Sequence, residues 1–285
     1  MPRSKVIQHA RLAAIETLLL WEGEISNVRI RQVFALQPVQ ASRTLAAYKD
    51  AFPDALIEDS ARRRYVPSAR VRPQLTQGDI SEYVELLRRC EAGLEPLTDV
   101  TVTFATADPR VFATLRSAAL LGQGVEASYR SIAHPSGTSR LLFPHAIVRA
   151  GRRWHVRAWC ASREAFLDFV LGRFVTTKLS AMPVPAHGRA AHDETWKERV
   201  TLLIAAHRRL DAAQAAVLRA EYFKGATARR ITCSGALLPY IVHDLRLAVD
   251  PDQETPPDYQ LELSNANSLK KWLFPAELDP VAGDG

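Results

Sequence analysis

Helix breakers cut the first 72 residues at short intervals, and this punctuation limits the possible folds more than any other feature of the chain. Leu12, Ala13, Ile15, Leu18 and Leu19 recur at helical spacing within His9–Trp21, and Gly23 stops that helix. Ser26 or Asn27 can cap a second helix carrying Val28, Ile30, Val33 and Phe34. Gln37-Pro38 breaks the chain again, and proline suits the first turn of a third helix running to about Ala51. Val39, Leu45 and Phe52 are its expected core residues. After Phe52-Pro53-Asp54, Leu56–Glu58 and Arg64–Val66 read as two short strands around Asp59-Ser60-Ala61-Arg62.

Helix, helix, helix, hairpin is the order of a winged helix-turn-helix. Its third helix should place short polar and basic side chains in a DNA groove. Gln40, Ser42, Arg43 and Thr44, with Tyr48 and Lys49 one turn on, are the candidates. Gln and Arg suit base edges; Ser, Thr, Tyr and Lys suit phosphate oxygens. The hairpin adds Arg62, Arg63 and Arg64 in a row, matching a wing along a phosphate backbone. Residues 1–72 hold 12 Lys/Arg against 7 Asp/Glu, which fits an anionic partner.

The remainder predicts an α+β multidomain chain. Residues 73–120 read as a helical linker with amphipathic helices over Asp79–Leu94 and Pro109–Leu121, and a short strand at Val100–Phe104 between them. Residues 121–182 are β-rich: Val125–Ser131, Ser139–Ala150, Arg152–Cys160 and Phe166–Leu179 are strand candidates separated by turn signals, and they suit a small Sm-like β-barrel. Met182–His192, with Pro183, Pro185 and Gly188, reads as a second linker. Residues 195–285 alternate strand (Val200–Ala206), helix (Asp211–Tyr222), strand (Arg229–Cys233) and helix (Leu237–Leu247), a small α+β module. Its tail carries Leu261, Leu263, Trp272, Leu273 and Phe274, apolar enough to pack on the body or on a partner.

Several function classes find no support. No run approaches the roughly 18 apolar residues of a membrane span, and the N-terminus lacks a signal-peptide core, so a cytoplasmic protein is expected. Cys90, Cys160 and Cys233 are scattered and odd in number, against a disulfide framework or zinc site. No phosphate-binding loop, dinucleotide fingerprint or hydrolase motif occurs. The pairs His192-Asp193 and His243-Asp244 lack further metal ligands at suitable spacing. No enzymatic activity, metal or cofactor is expected.

A second basic stretch lies at residues 129–178, with 9 Lys/Arg against 2 Asp/Glu. It contains Tyr129-Arg130-Ser131, Phe143-Pro144-His145, Arg153-Trp154-His155-Val156-Arg157-Ala158-Trp159-Cys160, Arg163, Phe166 and Gly172-Arg173-Phe174. This pattern resembles the WYL domain of bacterial regulators. The whole layout resembles the CapW- and BrxR-type repressors that sit beside anti-phage defence operons (CBASS, BREX). The resemblance implies a homodimer, held by the C-terminal module, that represses a promoter until a nucleic acid or nucleotide-like anion docks on the WYL barrel. The residue chemistry agrees. Arg130, Arg157, Arg163 and Arg173 offer planar forks to phosphate, Tyr129 and Ser131 neutral hydrogen bonds, and His145 a titratable charge. Arg157 and Arg173 lie among apolar strand residues, so each requires a counter-charge. Glu164 and Asp168 are the carboxylates nearby in sequence, and an external anion is the expected partner. Trp154 and Phe166 are expected in the core.

Three readings follow. The first is a dimeric, ligand-responsive repressor on a pseudo-palindromic double-stranded operator. The second is an accessory protein that binds RNA or single strands with the barrel as its main surface. The third, a nuclease or phosphohydrolase using a His-Asp dyad, is the weakest.

Overall fold

The computed structural model describes residues 3–90 and 107–273. The chain divides into two compact units, Met1–Thr101 and Val102–Gly285. The expected strand at Val100–Phe104, the residues Leu94 and Phe274, and the end of the tail lie outside the described residues.

The first unit follows the expected order: α1 (Arg3–Glu22), α2 (Asn27–Phe34), α3 (Pro38–Ala51), β1 (Leu56–Asp59), β2 (Arg64–Pro67) and α4 (Ile80–Arg89). The breaks arise as the residue types dictate. Gly23 takes a φ of +70°, Ser26 caps α2 by accepting from Arg29 N–H, and Pro38 opens α3. Ile15, Leu18 and Leu19 of α1 meet Ile30 and Val33 of α2 and Ala41, Leu45 and Tyr48 of α3 in one core. β1 and β2 pair antiparallel from Leu56↔Pro67 to Asp59↔Arg64, and Ile25 exchanges two 2.8 Å backbone hydrogen bonds with Tyr65. The hairpin is thereby fixed to the turn between α1 and α2. Val39, expected in the core, is 62% exposed. It sits in the first turn of α3, one residue off the stripe of Ala41, Leu45 and Tyr48 that faces α1.

Residues 73–90 are not a separate linker. Leu87 of α4 belongs to the same core. The fully buried Glu16 carboxylate of α1 accepts from the backbone N–H groups of Gln74, Leu75 and Thr76 and from the Thr76 hydroxyl, at 2.9–3.0 Å. Glu22 then accepts from both Tyr83 of α4 and Arg29 of α2, which clasps α4 to the bundle. Asp79 and Glu82 close a capping box at the start of α4.

The second unit opens with α5 (Pro109–Leu121), capped by Asp108 and ended by Gly122 at φ +63°. Then come β3 (Gln123–Tyr129), β4 (Thr138–Ala150), β5 (Arg153–Cys160), β6 (Ala165–Val170) and β7 (Phe174–Pro183). These form one antiparallel sheet in the order β6-β5-β4-β3-β7. Val111, Leu115 and Ala118 of α5 pack into its core with Val125, Leu142, Val156 and Phe169, so α5 is part of this domain rather than a linker. Two expectations change. Phe166–Leu179 is not one strand: a single 3-10 turn at Leu171–Arg173 divides it and sends its halves to opposite edges of the sheet. No hydrogen-bonded register joins β6 to β7 among the described residues, so the closed barrel expected from the sequence is here an open five-stranded sheet.

A stretch of 3-10 turns and α6 (Glu194–Lys197) leads to the C-terminal module. There β8 (Arg199–Ala206), α7 (Ala212–Phe223), β9 (Ala228–Ser234), α8 (Leu238–Asp244), β10 (Leu247–Ala248), β11 (Leu261–Leu263) and α9 (Ala266–Leu273) follow in order. Its sheet runs β10-β11-β8-β9, with β10 and β11 parallel and the other pairs antiparallel. Leu263, Leu269 and Leu273 of the apolar tail complete this core on Val200, Leu202 and Ile204. No described helix is long and apolar enough to cross a membrane.

Candidate nucleic-acid surface and effector pocket

The exposed start of α3 carries Gln40, Ser42 and Arg43, with Thr44 half-buried behind them. Local bonds order this face. Asn27 Nδ2 donates to Ser42 Oγ at 2.8 Å and to Pro38 O at 3.0 Å, and the Thr44 hydroxyl donates to Gln40 O at 2.8 Å. Gln40 and Arg43 are left presenting polar ends to solvent at a helix N-terminus, the geometry a groove-reading helix needs.

Tyr48 does not belong to that face. It is 1% exposed, its ring lies tilted against Phe52 with centroids 5.0 Å apart, and burial beside the Glu16 carboxylate pushes its phenol above the usual range. It lies on the core stripe with Ala41 and Leu45, so its place among the DNA contacts is corrected. Lys49 is half-buried; its Nζ donates to Tyr65 Oη at 3.2 Å and lies 4.5 Å over that ring, joining α3 to the hairpin. The three wing arginines also divide. Arg62 and Arg63 are exposed at the tip, Arg63 at φ +52°. Arg64 bonds Asp59 at 3.1 Å and also pairs with Glu24, which makes it a brace of the hairpin. The hydrogen bond from Arg64 in turn holds the Asp59 carboxyl below its usual range.

In the second unit, a cavity of about 630 Å³ lies between the sheet and the C-terminal module. Tyr129, Ser131, Arg157 and Arg163 line it, among the residues expected to bind a ligand; Arg130, His145 and Arg173 do not. Tyr129 contributes from within the core. It is buried against Phe169 and Phe174, and its hydroxyl accepts from Val170 N–H at 3.0 Å. Arg130 is exposed on the loop after β3. Arg173 sits on the 3-10 turn, and its carbonyl accepts from Arg130 N–H at 3.0 Å.

Arg157 has internal partners, contrary to the expectation of an external anion alone. Its Nε and Nη2 donate to the two oxygens of Asp193 at 2.8 and 3.0 Å, and its Nη1 lies 3.4 Å from Asp168 Oδ1. Asp193, 1% exposed, also bonds His145 Nε2 at 3.0 Å and caps α6 through Trp196 N–H at 3.1 Å. Burial works to raise the Asp193 carboxyl, but the bonds from His145 and Arg157 outweigh it and hold it at about 2. Burial works to lower the Arg157 guanidinium, but Asp193 and Asp168 raise it. The His145 ring meets Phe166 and Trp196 edge to face at 5.7 and 5.4 Å. His145 is therefore a fastener of the segment that follows the sheet, and Phe166, expected in the core, borders the cavity. Trp154, also expected inside, is 40% exposed. It shares the face of the buried Val156 and Ala158 but stands at the start of β5, beyond the core they occupy.

Sequence reasoning missed the residues that join the two halves of this unit. Tyr240 of α8 donates to Asp168 Oδ2 at 2.9 Å and lies 3.4 Å from His155 Nδ1. Burial, with Asp168 beside it, pushes the Tyr240 phenol up; burial pushes the His155 imidazole down. Asp244 accepts from Gly151 N–H at 3.0 Å. Arg140, Tyr240, Lys271 and Trp272 also line the cavity. The His-Asp dyads resolve into structural pairs: Asp193 is the Arg157 partner and Asp244 holds the β4–β5 turn. Among the described residues, no group of three or more His, Cys, Asp or Glu could hold a metal ion.

Three family models match in the same order as these parts. Residues 8–89 match the winged helix-turn-helix domain of the BrxR transcriptional regulator, 110–179 the WYL domain, and 199–269 the BrxR C-terminal dimerization domain. The chain has the domain layout of a WYL-domain transcriptional regulator of the BrxR kind. It is similar to the DNA-binding transcriptional repressor CapW of Stenotrophomonas maltophilia, 28% identical over 93% of this chain and 92% of that one. The CapW repressors of Escherichia coli and Pseudomonas aeruginosa are 28% and 27% identical, over 92% of this chain and 90% and 91% of theirs. Among solved structures it is similar to proteasome accessory factor B/C of Arthrobacter aurescens, at 14% identity and a TM-score of 0.28. That match covers 94% of this chain but spans only about half, 48%, of the other. Within the BrxR and CapW layout, the DNA-facing candidates fall in the first matched segment and Arg157 in the second. Asp193 falls between the second and third, and Lys271 and Trp272 fall beyond the third.

Proposed function

We propose that this chain is a homodimeric, DNA-binding transcriptional repressor whose WYL domain senses a nucleic acid or nucleotide-like anion. The observation that carries the reading is the BrxR-type winged helix over residues 8–89, with Gln40 and Arg43 exposed at the start of α3. Two copies, joined through the C-terminal module, would set two α3 helices on a pseudo-palindromic operator one or more helical turns apart. Gln40, Ser42, Arg43 and Thr44 read or position, and Arg62 and Arg63 follow the backbone. Lys49 and Arg64 brace the hairpin that presents them. The WYL sheet takes the role of the Sm-like barrel, with Ser131 and Arg163 facing the effector and Arg157, held by Asp193 and Asp168, bracing the wall behind them.

In this reading the protein works in the cytoplasm, turns over no substrate, and controls a promoter of an anti-phage defence operon. The relatives, each named a DNA-binding transcriptional repressor, support the repressor part of the reading. A gel shift tests the core of it: full-length protein with the DNA upstream of its own gene, at stated salt, with and without short single-stranded oligonucleotides. A discrete shift that the oligonucleotide reverses is the expected result. Sequence-tolerant binding of single strands without an operator shift would replace the repressor by the accessory-protein reading.

A further inference from the structure

Val39 is the one large apolar side chain exposed on α3, and it belongs to none of the cores formed by the described residues. A single exposed apolar residue is ordinary on a protein surface. The surroundings of this one are not. Gln40, Ser42, Arg43 and Ala46 are the exposed residues that share its side of α3. Arg43 stands four residues on, so the two side chains are neighbours on the helix, with Cβ atoms about 5–6 Å apart. Ala46 is small and lets this side of the helix come close to a facing surface. The backbone on either side of Val39 is pinned to α2: Pro38 opens the helix, and Asn27 Nδ2 donates to Pro38 O at 3.0 Å and to Ser42 Oγ at 2.8 Å. A helical valine has one strongly preferred rotamer, so its methyl groups are presented with little freedom left to lose. The helix gains nothing from it, because β-branched residues are weaker helix formers than alanine. A stiff apolar side chain thus occupies a place where both solvent and helix propensity favour other residues.

A helix that enters the major groove by its N-terminal residues meets the edges of the bases. Those edges offer hydrogen-bond donors and acceptors, with one apolar feature among them, the C5 methyl group of thymine. We propose that Val39 is a specificity-determining residue: it packs on the C5 methyl group of a pyrimidine in the base pair adjoining the one that Arg43 reads. Arg43 suits the paired acceptors of a guanine, and Gln40 the donor and acceptor of an adenine. Val39 adds a contact that neither of them makes, because only a methyl group gains by leaving water against it. This inference rests on the reading of α3 as the groove-facing helix and gives that helix one base contact of stated chemistry. Thymine and 5-methylcytosine carry the same methyl group on the same carbon.

The test is fluorescence anisotropy of the full-length protein on synthetic copies of the operator that the gel shift defines. Each thymine of one half-site is replaced in turn by deoxyuridine, which lacks only the methyl group. Expected is one position where the wild type loses affinity about fourfold, the factor that burying a methyl group supplies. Val39→Ala should bind the unmodified operator about fourfold more weakly and be indifferent to deoxyuridine at that position. Val39 is 62% exposed, so Val39→Ala should fold as wild type does, and thermal unfolding checks this. In a second series each cytosine is replaced by 5-methylcytosine. A gain of about fourfold at one position, absent in Val39→Ala, assigns the contact to a methylated cytosine instead of thymine. A methyl effect that Val39→Ala keeps in full, or no methyl effect in either series, overturns the assignment. Arg43→Glu on the same operator separates the two levels. If it binds as wild type does, α3 does not read the groove and the assignment falls with that reading. If it loses binding while both methyl series stay flat, the contact of Val39 alone is refuted.

Discussion

Arg43 and Arg157 both stand in basic stretches of the sequence, yet they end in opposite circumstances. Arg43 projects from the exposed start of α3. Arg157 is buried in β5, with Asp193 on two of its nitrogens and Asp168 near the third. The contrast comes from burial. An exposed guanidinium can wait in water for a phosphate or a base edge, whereas a buried one needs its counter-charge built in. The first kind of arginine reads a ligand; the second couples parts of the protein. If that division holds, charge changes at Arg43 will act on binding and leave the fold alone, and changes around Arg157 will do the reverse.

The largest effect expected is on operator affinity. Arg43→Glu replaces a groove-facing cation with an anion and should weaken specific binding on the order of 100-fold or more, with thermal stability unchanged. Fluorescence anisotropy with labelled operator at two salt concentrations measures this, and near-native affinity would remove α3 from the DNA interface. Arg64→Ala sharpens the same division within the wing. Its loss should appear first as a less stable hairpin, because Asp59 and Glu24 lose their partner.

The next effect is on stability. Asp193→Asn leaves Arg157 buried with half its counter-charge, and should cost about 3 kcal/mol in denaturant unfolding. Asp193 is held at about 2, below its ordinary 3.8. A carboxyl with a depressed folded-state pKa contributes stability above its unfolded pKa and loses it as pH falls through the folded value. The wild type should therefore lose about 2.5 kcal/mol between roughly pH 5 and pH 1 that Asp193→Asn does not lose. Parallel acid limbs for the two proteins would show that the pair contributes nothing of the kind.

How far the sequence foretells these two regions follows the same line. The first unit was readable because its determinants are local: Gly23, Ser26 and Pro38 act on their own neighbours. The Arg157 cluster was not, because Asp193 is 36 residues away, in a stretch whose prolines suggest only a linker. The demand for a partner could be inferred from burial, but not which carboxylate met it. The same limit explains Tyr240, which reaches Asp168 from 72 residues on. The division of Phe166–Leu179 was hidden because a single 3-10 turn carries it, and Gly172 alone does not distinguish a turn from a bulge. Trp154 and Val39 misled by residue type. Both are large and apolar; the stripe of Ala41 with Leu45 gave the correct face for Val39, whereas Trp154 shares the face of Val156 and Ala158 and is exposed because it stands at the start of β5, beyond the core.

Tyr48 offers the smallest effect and the finest discrimination. By residue type it suits a phosphate; by position it lies on the stripe of Ala41 and Leu45, and it is buried beside Glu16. Removing its hydroxyl takes nothing from the DNA-facing surface. Tyr48→Phe should leave operator affinity within about twofold of wild type. Its cost should fall on the fold, about 1 kcal/mol, because the phenol is buried in the core beside the Glu16 carboxylate. Gln40→Ala, two turns earlier on the exposed face, should show the opposite pattern of weaker binding and unchanged stability. Measuring affinity and unfolding on both variants separates the two faces of one helix. A Tyr48→Phe protein that folds as well as wild type but binds DNA tenfold less tightly would place the phenol on the reading surface and undo the assignment of faces along α3.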